Sequence, residues 1–151
     1  MTLAPSLKGR ALRLLSGREY SRHELERKLA PHEDEPNSLA WVLDDLQAKG
    51  FISDQRVIES VVHRRGSKLG AARVRQELSQ KGLDRDAVQA AIAGLEATEL
   101  ERARGVWLKK FGVPATDAIQ RGKQMRFLAA RGFGAETIGR VVQGAEGEKF
   151  I

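Results

Sequence analysis

The chain has no cysteine, only three histidines and an aromatic content of 5% in 151 residues. Without cysteine there is no disulfide, no thiolate metal site and no thiol nucleophile, a usage that suits a reducing cytosol. His23, His32 and His63 stand without ligand spacing between them, so no metal site is expected. Long apolar runs are missing too: none approaches the ~18 residues of a membrane span. The opening Met1-Thr2-Leu3-Ala4-Pro5 also lacks the apolar centre of a secretion signal. Catalytic patterns are equally thin. Gly66-Ser67-Lys68-Leu69-Gly70 falls short of a phosphate loop, and no Gly-x-Ser-x-Gly elbow occurs. Carboxylate neighbours such as Asp44-Asp45 read as solvent-facing. The expectation is a soluble, cytoplasmic chain that keeps off membranes, needs no cofactor and performs no chemistry of its own; no residue is nominated for catalysis.

What the chain has is repetition. Leu39, Val42 and Leu43 recur 49 residues later as Val88, Ala91 and Ile92, and after 50 more as Ile138, Val141 and Val142. A leucine stands ten residues before each triplet: Leu29, Leu78 and Leu128. A second set runs Ala11, Leu14, Leu15; Ile58, Val61, Val62; and Ala103, Val106, Trp107. Every triplet has the i, i+3, i+4 spacing of a helix buried on one face, and fixed-period self-similarity marks stacked units. The fold class is therefore all-α: three tandem three-helix repeats over 6–52, 53–96 and 97–143, stacked into an elongated, curved array, with a tail at 144–151. Helices are predicted near 6–16, 21–30, 36–49, 54–66, 70–81, 84–94, 98–111, 116–131 and 135–143. Ser21 with Glu24, and Thr98 with Glu101, read as capping boxes. Pro36 is placed in the first turn of the third helix, and Gly50, Gly82 and Gly132 end helices. Trp41 and Trp107 are both assigned to the core.

Charge is unevenly spread. Twenty-six Lys and Arg face 20 Asp and Glu, a formal +6 that favours a polyanionic partner, nucleic acid or an acidic protein groove. Residues 1–53 hold eight of each sign, 54–97 an excess of two positive and 98–151 an excess of four. Matching the repeats aligns Arg64-Arg65 with Lys109-Lys110, Arg73 with Lys123, and Lys81 with Arg131. Units two and three thus carry a common basic ridge, Arg73, Glu77, Lys81 and Lys123, Phe127, Arg131, where unit one has the acidic turn His32-Glu33-Asp34-Glu35. For Arg64-Arg65 and Lys109-Lys110 the helix macrodipole alone is as good an explanation as a partner contact, and Arg73 with Glu77 reads as an ordinary i, i+4 pair. Phe127 between two cations suits a nucleic-acid or partner contact. It suits equally a wedge between bundles, and spacing leaves both open.

Three stretches carry a family resemblance. They are Arg10-Ala11-Leu12-Arg13-Leu14-Leu15-Ser16-Gly17-Arg18-Glu19-Tyr20-Ser21-Arg22-His23-Glu24-Leu25, then Arg73-Val74-Arg75-Gln76-Glu77-Leu78-Ser79-Gln80-Lys81-Gly82-Leu83, and finally Trp107-Leu108-Lys109-Lys110-Phe111-Gly112 with Lys123-Gln124-Met125-Arg126-Phe127-Leu128-Ala129-Ala130-Arg131-Gly132-Phe133. In order and at these distances they resemble the RecX family of bacterial recombination regulators over about residues 8–143. The resemblance implies a protein that binds in the groove of the RecA filament on single-stranded DNA and inhibits its ATPase, strand exchange and extension. Sites expected to meet that partner are Arg64, Arg65, Arg73, Lys81, Lys109, Lys110, Lys123, Phe127 and Arg131, on a chain expected to act as a monomer. The rival reading is a free-standing basic helical module that acts through nucleic acid alone.

Overall fold

A computed structural model describes residues 4–148 of the chain, with side chains through residue 146. Among the described residues it contains nine α-helices and no strand. They are α1 (Leu7–Gly17), α2 (Arg22–Leu29), α3 (Ser38–Ala48), α4 (Asp54–Arg65), α5 (Ala71–Ser79), α6 (Arg85–Ala97), α7 (Glu99–Lys110), α8 (Ala118–Ala130) and α9 (Ala135–Glu148). A single 3-10 turn, Ala30–His32, follows α2. Helices this short are marginal alone and depend on neighbours for stability.

The repeated apolar positions supply those neighbours. Three separate cores form, one per trio of helices, and Leu29, Leu78 and Leu128 are buried at corresponding places in them. Full burial of one such leucine is worth about 1.5–3 kcal/mol. Within each trio all three helices pack against one another, and α6 against α7 joins the second trio to the third. The tandem three-helix architecture is therefore built from local patterns that repeat.

Four local expectations change. Trp107 is buried, but Trp41 is 65% exposed. Trp107 belongs to its triplet, whereas Trp41 lies two residues past Leu39, about 200° around the helix from it. Pro36 is not in a helical first turn: Asn37 takes a left-handed φ of 67° and α3 starts at Ser38. Glu33 then accepts the Leu39 amide at 2.8 Å, so part of the acidic turn caps α3. At Ser21 the capping box forms with Glu24, but Thr98 makes none. Thr98 closes α6 and opens α7 at once, so its hydroxyl turns back to the Leu95 carbonyl and receives Arg102. Finally, α9 runs on to Glu148 instead of stopping near 143; the rest of the expected tail, and the first three residues of the chain, lie outside the described residues.

Charged side chains join the trios by capping helix ends across the seams. Glu99, at the start of α7, accepts the Ala71 amide at the head of α5 (2.8 Å). Its other oxygen accepts the Gly134 amide and the Thr137 hydroxyl at the head of α9. A carboxylate at two helix N-termini satisfies orphan amides and complements both dipoles. Arg102 does the converse: its guanidinium donates to the carbonyls of Gly66, Leu69 and Leu95, each at 2.6 Å, where α4 and α6 end. Burial pulls the Arg102 pKa below the usual arginine value, against the opposing pull of Glu99.

Candidate functional site

The cations singled out from sequence divide by what already holds them. Arg73 donates to the Ala130 carbonyl at 2.7 Å, across the seam from α5 to the end of α8. Lys81 reaches back to the first trio and pairs with Glu24 at 3.0 Å, both side chains largely buried. Burial alone would raise the Glu24 pKa, but the Ser21 amide, Arg18 and Lys81 outweigh it and hold the carboxyl at about 2, against an ordinary 4.5. The expected Arg73–Glu77 helix pair is not made; Glu77 instead meets Arg65 at 3.6 Å. The second trio's half of the shared ridge is thus engaged at seams, because a long cation at a trio boundary finds a helix C-terminus or a buried carboxylate there.

The third trio's half is arranged differently. Lys109, Lys110, Phe127 and Arg131 come together along an open groove of about 500 Å³ whose opposite wall is Ser67 and Lys68, in the loop between α4 and α5. Helix α7 supplies the lysines from its last turn, and α8 supplies Phe127 and, at its C-cap, Arg131. Phe127 is half-buried: its ring meets Phe111 edge-on at 5.4 Å, with Lys110 at 5.4 Å and Arg131 at 4.9 Å from its centroid. The aromatic thereby packs against Phe111 within its own trio, lines the groove and lies between two cations. No carboxylate lines this groove. Cations crowded in a cleft without a counter-charge raise its positive potential and favour an anionic occupant.

Lys123 stands outside the groove, in a neighbouring cleft with Phe111, Val113 and Gln120. A residue eight positions before Arg131 is rotated about 80° from it, enough to change faces. Arg64 is exposed at the end of α4 without a side-chain partner among the described residues. Lys68 is the groove residue that sequence reasoning passed over. Its loop, Gly66 to Gly70, falls short of a phosphate loop, and helical periodicity ranks no loop position. No helix among the described residues is long and apolar enough to cross a membrane, and no group of three or more metal-ligating side chains occurs among them.

Fold and groove together define a class: a tandem array of three-helix units with a cationic cleft between the second and third. The profile of the RecX first three-helix domain matches residues 8–46, that of the second 53–92, and that of the third 97–142. Regulatory protein RecX of Leptothrix cholodnii is 51% identical over 143 residues, covering 95% of this chain and 91% of that one. Regulatory protein RecX of Neisseria meningitidis is 37% identical, covering 96% and 94%. A crystal structure of RecX from Lactobacillus salivarius has the same fold, with a TM-score of 0.76 at 20% identity over 93% of this chain and 94% of that chain. The chain belongs to the RecX family of regulatory proteins.

Proposed function

We propose that this protein binds in the helical groove of the RecA filament on single-stranded DNA and suppresses the filament's ATPase, strand exchange and extension. The observation that carries the reading is the carboxylate-free groove of Lys68, Lys109, Lys110 and Arg131 between the second and third trios. Such a cleft meets acidic recombinase surface or the DNA phosphates beneath it. A monomer that touches one protomer and its neighbour together favours one helical state of the filament, and inhibition follows from that differential affinity and from blocked access. The rival, a module acting through nucleic acid alone, is less well supported because the groove offers a single aromatic, Phe127, half-buried against Phe111 and flanked by two cations, where successive bases would need several platforms.

The test is the ATPase of RecA on single-stranded DNA, titrated with this protein. Turnover is expected to fall saturably at stoichiometries below one per recombinase protomer. An unchanged rate at excess protein would overturn the proposal.

A further inference from the structure

The first trio, in which the sequence shows only balanced charge, holds a second cationic site on a different part of the molecule. An open pocket of about 610 Å³ lies between α1 and the end of α2. Arg10 and Arg13, one turn apart on α1, line it from one side; Lys28 and His32, one turn apart at the end of α2 and its 3-10 turn, line it from the other. Leu14 and Leu29 contribute to its lining between them. No Asp, Glu, Phe, Tyr or Trp is part of the lining.

These four side chains have no hydrogen-bond or ion-pair partner among the described residues. Other charges of the trio are engaged. Lys8 and Lys49 share Asp45, Arg22 holds Asp44 and Glu26, Arg18 holds Glu24, and Glu33 caps α3. Asp34 and Glu35 follow in the exposed turn but are not among the lining residues. Pairing within the trio therefore consumes most of its carboxylates and leaves three permanent cations gathered at one pocket.

We infer that this pocket binds an acidic peptide segment of a protein partner, with carboxylates on the Arg10–Arg13 and Lys28 rims and an aliphatic side chain against Leu14 and Leu29. Charge complementarity fixes the sign of the occupant. Its class follows from the lining: a nucleic-acid strand held without sequence preference uses aromatic platforms for its bases, and none is present. Aliphatic surface between cations suits instead a peptide that alternates acidic and apolar residues. The site is separate from the groove of the second and third trios and does not depend on the function proposed for that groove.

Fluorescence anisotropy of the full chain tests this with three probes: a short labelled peptide of Asp, Glu and Leu, its Asn/Gln/Leu counterpart, and oligo(dT). The acidic peptide is expected to bind, and the amide peptide to bind at least about tenfold more weakly. Measured with Lys109→Glu and Arg131→Glu already in place, which closes the other cationic groove to the peptide, Arg13→Glu with Lys28→Glu is expected to weaken acidic-peptide binding at least about tenfold, with unchanged helical circular dichroism, while Arg85→Glu, outside both sites, leaves it unchanged. The milder Arg13→Gln with Lys28→Gln guards against a folding artefact and is expected to show a smaller loss in the same direction. Equal binding of the amide peptide, no effect of the first-trio variants, or a loss confined to oligo(dT) would each overturn the inference.

Discussion

Gly70→Ala is expected to destabilise the protein by about 3 kcal/mol, lowering its melting midpoint by on the order of 10 °C. Gly70 has an ordinary φ of −75°, so the substitution meets no backbone penalty. The whole effect comes from the seam. Its amide donates to the Arg131 carbonyl at 2.8 Å, which brings two backbones together. A Cβ at position 70 would fall on the carbonyl group of Gly132 and within 2.5 Å of the Phe133 amide nitrogen. Main chain cannot swing aside as a flexible side chain does, so the second and third trios must separate. That separation also strains the Arg73–Ala130 bond and the packing of Arg73 on Gly132, whose own φ of 88° marks a tight helix end. Gly94→Ala is the control: a Cβ there meets nothing within 4 Å, and α6 gains up to about 1 kcal/mol from the better helix former. Thermal melts of both variants check the contrast. Near-identical midpoints would mean that the seam is not closed as described.

Lys109→Glu with Arg131→Glu is expected to raise the concentration needed to suppress the filament ATPase by roughly 100-fold, because like charges set against an anionic partner cost several kcal/mol. The fold should survive the change. Lys109 is exposed, and it is the backbone carbonyl of Arg131, not its guanidinium, that accepts the Gly70 amide. What the variant loses internally is the Arg131 contact with Phe127, worth about 0.5–1 kcal/mol at such a site. Arg85→Glu, an exposed cation at the start of α6 and away from the groove, should inhibit as the wild type does. Full inhibition by the groove variant would remove the groove from the interface.

The fold was legible in the sequence because burial of a helix stripe is a local property. Leu43, Ile92 and Val142 occupy one position of the repeated pattern, and all three are buried. The errors fell where two elements compete for one residue. Thr98 belongs to α6 and α7 together, and its capping reading failed for that reason. The site was less legible because a cation's sequence position does not say whether another trio neutralises it. Arg73 and Lys123 align between repeats, yet Arg73 closes a seam and Lys123 does not. Lys81 lies 57 residues from the glutamate that binds it, a separation no helical period encodes. Conversely, the equal charge counts of residues 1–53 hide the cluster of Arg10, Arg13 and Lys28, because Asp44, Asp45 and Glu26 are held by other cations.

The most direct test compares binding to pre-formed RecA filaments with binding to bare single-stranded DNA across a range of salt. A groove shaped for the nucleoprotein assembly should give tight, saturable binding to filaments and weak binding to bare DNA. Comparable affinity for both, with log K falling against log salt at a slope near −4 as ~6 phosphate contacts would give, would contradict it.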